Sequence, residues 1–333
     1  MKKVIWFLKE KMIYLVFVVM LIGAGLGIHF RSIFMFLKWT LPVALFCMLF
    51  QPMVFLKLKQ AFVKWTPEKK KYILILFIYY VVLFPILTYL LMKFWLLVLP
   101  SVDPKLLAGV VLISLAPLPS SAPAFTNLAG GKFQLTLIGV VWTFILSLFV
   151  MPVYAKLILH TVIEVPIMVL IKALVIYIII PLIVGQLTRY LVLSSGGEEK
   201  LMKLKEPLMG LALLGMYWMV FEVFGLNGLK IFHNPFVIVY GALIMNAYFL
   251  IRMAIAYITG QAVGFDIEHT ISLVYSTGSN MTLSTAMAIG AFGALAAVGT
   301  ALGGPFSDMI LMIIFVRIFQ GLKTKQKEVV ENV

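Results

Sequence analysis

The sequence predicts an all-α polytopic membrane protein: ten transmembrane helices forming two inverted five-helix repeats, with discontinuous fourth and ninth helices. Three observations predict it. The 333 residues are 63% apolar and 12% charged, where a soluble domain has about 45–50% and about 25%. Ten mostly apolar stretches, at roughly 12–28, 33–55, 72–97, 105–129, 134–158, 165–187, 206–226, 235–258, 270–296 and 299–319, each approach the ~20 residues that a spanning helix needs. The basic residues then fall mainly on alternate loops. With the N-terminus cytoplasmic, 20 of the 27 Lys and Arg lie inside, among them Lys69, Lys70, Lys71, Lys132, Lys200, Lys203 and Lys205. The outer side holds Arg31, Lys38, Lys93, Lys105, Lys156 and Lys230. An even number of spans puts the C-terminus inside as well. The Lys57–Lys71 loop and the Ser194–Glu206 loop are read as cytoplasmic.

Composition also excludes function classes. A single cysteine, Cys47, and four histidines without an HxxxH or HExxH spacing leave no disulfide framework and no Cys- or His-based metal centre. No Ser-His-Asp order and no paired carboxylates at one depth are present, so no enzyme is expected. The net charge of +14 is a loop bias, not a nucleic-acid footprint. The first stretch carries Gly23, Gly25 and Gly27 and no A-x-A-like site after it. It is read as a retained span, not a cleaved signal. The whole chain, 1–333, reads as one transmembrane domain, with repeats at about 1–160 and 161–322 and a charged cytoplasmic tail at 323–333.

Five spans per half give the halves opposite orientation, a construction common in secondary transporters, whose sites form at broken helices in matching positions. The fourth span of each half is the place to look. Span 4 reads LISLAPLPSSAPAFTNLAGG, with Pro117, Pro119 and Pro123 in mid-span. Each proline removes a backbone donor and clashes with the preceding turn. Ser120, Ser121, Thr126 and Asn127 surround that break. Span 9 reads SLVYSTGSNMTLSTAMAIGAFG, with Gly278 set among Thr277, Ser279, Asn280 and Thr282. Unwound backbone at membrane depth is tolerated only where it is buried or lines a cavity, so these eight polar residues are the candidate substrate and ion ligands. The half-helices starting near Ser120 and Ser279 are expected to present free N–H groups and positive dipole ends toward an anion.

At these residues the chain resembles the bile acid:sodium symporter superfamily, most closely its arsenite permease branch. The cues are LPVALFCMLFQP in span 2, IYIIIPLIVGQLTRY in span 6, NLAGGK at 127–132, STGSNMTLSTAMAIGAFG in span 9 and GGPFSDM leading into span 10. The resemblance implies a panel and a core domain, crossing discontinuous helices 4 and 9, and secondary transport by alternating access. It also implies Na+ as coupling ion. Departures accompany it. Leu118 stands where the arsenite branch carries a cysteine, Thr282 or Tyr275 where a glutamate is usual, and Lys132 where an aspartate ends the LAxGD-type turn. With no acid in span 9, weak sodium dependence, proton coupling or no coupling is expected.

Ionisable residues inside spans are costly and point to function. Asp308 lies nearest mid-span and is a candidate coupling carboxylate or a partner of a polar helix end. Arg252 is read as snorkelling from the inner end of span 8, Lys172 likewise in span 6, and Glu222 as interfacial. Asn246 is read as a packing group. The expected function is secondary transport of a small anionic solute in the plasma membrane. Metalloid or oxyanion efflux is the alternative within transport, and a channel or sensor the alternative outside it. The partners are the solute and the bilayer. No cofactor beyond a coupling Na+ or H+ is expected. A monomer satisfies the sequence, which does not fix the oligomeric state.

Overall fold

A computed structural model describes residues 5, 7–8, 10–56, 65–100, 102–165 and 167–331. Lys57, Lys59 and Lys64 of the expected inner loop lie outside the described residues. The described chain is helical with no strand. Its helices are α1 Met12–His29, α2 Arg31–Phe55, α3 Pro67–Val98, α4 Pro104–Ser114, α5 Ala122–Leu128, α6 Phe133–Leu159, α7 Ile167–His233, α8 Pro235–Ala262, α9 Ile267–Tyr275, α10 Met281–Phe292, α11 Ala294–Gly303 and α12 Met309–Glu331. Five of them, α2, α3, α6, α7 and α8, contain a segment long and apolar enough to cross a membrane. The shorter apolar helices, α4, α10 and α11 among them, follow from the interruptions.

Local chemistry sets the boundaries. Thr66 and Asp103 cap α3 and α4 by accepting from the Lys69 and Lys105 N–H groups, and proline follows each cap. Proline at the first helical position forfeits a donor that has no partner in the helix anyway. The prolines at 117 and 119 end α4 early, and helix resumes only at Ala122.

Three boundaries differ from those the sequence suggests. The expected loop Ser194–Glu206 is not a loop: α7 runs through it, broken only at Gly196 and Gly197. Gly197 takes φ +65, which costs glycine nothing, so two spans are joined by a kink. The limit between spans 9 and 10 lies at Gly293, φ +87, before α11, and not after residue 296. The segment after Gly321, read as a tail, continues α12 to Glu331.

Packing divides the helices. α7 lies along both α1 and α2. α4 packs on α11, α11 on α10, and α8 on α9, while α6 touches α3, α4, α5 and α9. The two groups meet where α10 approaches α2 and α11 approaches α7. Backbones touch in the first group: a Cβ on Gly27 would run into the Gly225 carbonyl, whereas one on Gly25 would meet nothing within 4 Å. Small residues at such crossings let dispersion act backbone to backbone.

At one end of the second group a charged cluster ties α9 to its neighbours. Asp266 caps α9 through the His269 N–H, 2.7 Å. It also holds the His269 ring at 2.8 Å and the Lys132 ammonium at 3.2 Å. Lys132, read as an ordinary loop charge, is therefore a partner of the α9 cap. Partial burial raises the Asp266 pKa, but the His269 N–H, the imidazole and Lys132 outweigh it and hold the carboxyl down at about 2.

Gly27→Ala should cost about 1–3 kcal/mol by overpacking, and Gly25→Ala, two residues away, should be near neutral; melting temperatures in detergent compare them. For Asp266, a pKa lowered on folding contributes stability above the unfolded value of about 4 that is lost as pH falls toward 2. Asp266→Asn should therefore melt slightly below the wild type at neutral pH, by a few tenths of a kcal/mol for a half-exposed, screened group. The gap should close on acidification below about pH 4.

Candidate functional site

The two interruptions face each other, and their freed backbone groups are paired. The Asn280 N–H donates to the Pro117 carbonyl at 2.7 Å, joining break to break. The Leu118 N–H donates to Thr143 Oγ1 of α6 at 3.1 Å. The Gly278 carbonyl accepts from the Tyr80 hydroxyl of α3 at 3.2 Å. The Ser114 carbonyl, at the end of α4, accepts from Arg252 Nη1 of α8 at 3.2 Å and from the Tyr248 hydroxyl at 3.4 Å. Unpaired backbone in hydrocarbon costs several kcal/mol per group, and these contacts remove that cost.

Arg252 departs from the position expected of it. It is fully buried and turned into the crossing instead of snorkelling outward. Its guanidinium carbon lies 3.7 Å from the Phe84 ring centroid, with Tyr248 and Phe249 at 5.5 Å. Nη1 also donates to Ser279 Oγ at 3.0 Å, while Nε and Nη2 have no hydrogen-bond partner among the described residues. The Ser279 N–H donates to Asp308 Oδ2 at 3.2 Å. Ser279 thus stands between a buried cation and a buried carboxylate. Oδ1 of Asp308 is buried without a hydrogen-bond partner among the described residues.

A cavity of about 160 Å3 opens against this cluster. One wall is Met12 of α1, Met48 of α2 and Met216 of α7; the other carries Pro119, Ser120, Ser121, Phe125, Ser279, Asn280, Met281, Thr282, Gly304, Asp308 and Met312. Of the residues expected at the site, the cavity brings together Ser120, Ser121, Ser279, Asn280, Thr282 and Asp308. Three stand apart from it. The Thr126 hydroxyl is bonded to the Ala122 carbonyl and to Thr136, and that of Thr277 to the Val274 carbonyl. Asn127 is exposed outside the cavity lining.

The expectation of free N–H groups needs correction at the half-helix start near Ser279. Those of Ser279, Asn280 and Leu283 are already paired, the last with the Asn280 side chain, which caps α10 at 3.0 Å. Sequence reasoning missed the five methionines of the lining and the role of Tyr80. The methionines are scattered over α1, α2, α7, α10 and α12, and no spacing links them.

A second cavity, about 560 Å3, lies in the same seam between α2 and α7 on one side and α4, α10 and α11 on the other. Arg31, Lys38, Lys105 and Lys230 line it together with Trp39 and Asn227. Lys230 is paired with Asp103 at 3.1 Å. Along α2 the two cavities are offset from Leu41 and Pro42 to Met48, roughly 9 Å at 1.5 Å per residue.

Glu222 was expected at the interface. It is fully buried, and Oε2 accepts from the Thr40 hydroxyl at 2.8 Å. That hydroxyl in turn accepts from Trp218 Nε1 at 2.7 Å. Asn246 acts as a packing group between the Ala242 carbonyl and Ser307 Oγ, at 2.8 and 3.0 Å. Lys172 is exposed.

No curated protein matches the chain. The sequence profile of the sodium bile acid symporter family matches residues 42–234, more than half of its length. That family is one of membrane transporters, not enzymes, and its profile covers most of α2 and all of α3 to α7, including the first interrupted span. The chain, a multi-pass membrane protein, belongs to the sodium bile acid symporter family.

Proposed function

We propose that this transporter moves a small anionic solute by alternating access, binding it in the methionine-lined cavity together with a proton on Asp308. The single observation that carries the reading is Asp308 in the lining of a cavity between two packing groups, its Oδ1 buried without a hydrogen-bond partner among the described residues. An anion entering beside an ionised Asp308 meets a like charge. A proton on Oδ1 removes the repulsion and supplies a hydrogen-bond donor. The charged and titratable groups around Asp308 are Arg252 from α8 and Tyr80 from α3, and the guanidinium offsets the charge that remains.

Further features support the reading. Arg31, Lys38 and Lys105 of the larger cavity, beside a Lys230 paired with Asp103, attract anions to one mouth of the seam. Five methionines and Phe125 suit a solute with an apolar body, since thioethers adapt to irregular shapes. Two cavities at different depths in one seam suit access from alternate sides, the two groups of helices, each drawn from both expected repeats, rocking about it. In this reading both termini are cytoplasmic, the membrane is the plasma membrane, and the cation-lined cavity faces outward. Cys47 is not among the residues lining either cavity, so thiolate capture of a metalloid has no support.

A thermal-shift series over small carboxylates, including amphipathic ones, identifies the solute that best stabilises the folded protein. In proteoliposomes its uptake should be saturable and should accumulate under an inward proton gradient. Asp308→Asn should abolish that accumulation and preserve exchange of labelled for unlabelled solute. Saturable uptake indifferent to a proton gradient overturns the role of Asp308, and ion conductance without saturable uptake overturns transport. Ser121→Ala should weaken binding by about 0.5–1.5 kcal/mol with an unchanged melting temperature. Asn280→Ala should instead lower the melting temperature, by about 0.5–2 kcal/mol for a lost helix cap.

A further inference from the structure

We infer that Arg252 is a tethered cation that occupies the cation position of the helix crossing, so that this chain binds no sodium there. A monovalent metal ion in a membrane protein is held by oxygens: carbonyls freed where helices unwind, hydroxyls beside them and, for charge balance, a carboxylate. The crossing offers such a set in the Ser114 carbonyl, the Ser279 hydroxyl and Asp308. In this chain the set is already taken up by a protein cation.

Nη1 of Arg252 donates to the first two oxygens, at 3.2 and 3.0 Å. The Ser279 N–H donates to Asp308 at 3.2 Å, so the guanidinium and the carboxylate hold two atoms of one residue. The pair balances its own charge without a mobile ion. The Ser114 carbonyl ends α4, where the helix dipole is negative, and a fixed cation is favoured there.

The aromatic surroundings fit the same role. Phe84, at 3.7 Å, presents its ring to the guanidinium and closes one face of it. A planar guanidinium suits such a dry, stacked position, and with it in place both oxygens are already engaged. Sodium at these oxygens would sit against a buried like charge. Elsewhere among the described residues, no group of three or more His, Cys, Asp or Glu is placed to hold a metal ion. Span 9, which supplies half of the crossing, contains no acid. With Arg252 on these oxygens, the crossing does not fit the sodium that the family's description implies.

Occupation of the crossing by Arg252 is a property of the solute-free protein and holds whether or not the solute is an anion. The test uses sodium alone. The full-length protein is purified in detergent and melted across a sodium chloride series, with potassium or choline chloride replacing sodium at constant ionic strength. The wild type should show no saturable sodium-specific rise in melting temperature and no saturable binding of radioactive sodium. Arg252→Met keeps an apolar stem, removes the charge and frees both oxygens; it should gain a saturable, sodium-specific rise in melting temperature. Arg252→Lys keeps a cation and should remain indifferent to sodium. Saturable sodium binding by the wild type overturns the proposal, as does a folded Arg252→Met that stays indifferent. If Arg252→Met does not fold, the wild-type measurement decides alone, because a sodium-indifferent wild type is what the tethered cation requires.

Discussion

The structure depends on the pairing of backbone groups that two interrupted spans release into a low-dielectric interior. An intact helix satisfies its own amides and carbonyls, and an interrupted one cannot. Here the Asn280 N–H on the Pro117 carbonyl joins the two breaks directly. Thr143, Tyr80, Tyr248 and Arg252 are drawn in from three other helices to complete the set. Removing one partner strands a group that has no water to turn to. The crossing thereby fixes how α3, α4, α6, α8 and α10 sit together, and a cavity forms beside it rather than through it.

The seam follows from the same constraint. Helices committed to the crossing form one body, and α1, α2 and α7, which contribute nothing to it, form another. The second body holds itself together differently, with glycines that bring α1 and α7 to backbone contact. Between two bodies so built lie the two cavities, lined by methionines at one level and by lysines and an arginine at the other. Side-chain contacts can be exchanged at low cost, whereas the backbone pairs inside each body cannot.

Much of this was legible in the sequence. The breaks were readable because proline removes a donor wherever it stands, and because hydroxyls clustered at mid-span are costly unless a cavity or a neighbouring helix receives them. Gly278 and its polar neighbours marked the second break for the same reason. The limits of α7 and α10 were less legible, since the glycines at 196, 197 and 293 signal a turn without giving its angle. Arg252 was misplaced because its position one turn from the end of an apolar stretch is also that of a snorkelling side chain. Only the position of α8 against the crossing turns it inward. Asn280 shows a further limit. Its residue type suits a ligand and a helix cap equally, and in the structure it caps α10 through Oδ1 while also lining the cavity.

The methionine lining carries a consequence of another kind. Met12, Met48, Met216, Met281 and Met312 surround one small cavity, and thioether sulfur is the group that mild oxidants attack first in such a surface. Conversion to the sulfoxide makes each side chain polar, bulkier and chiral. Oxidative stress would therefore change the shape and polarity of this cavity's lining. Repair would have to come from a reductase that reaches the exposed face of the cavity.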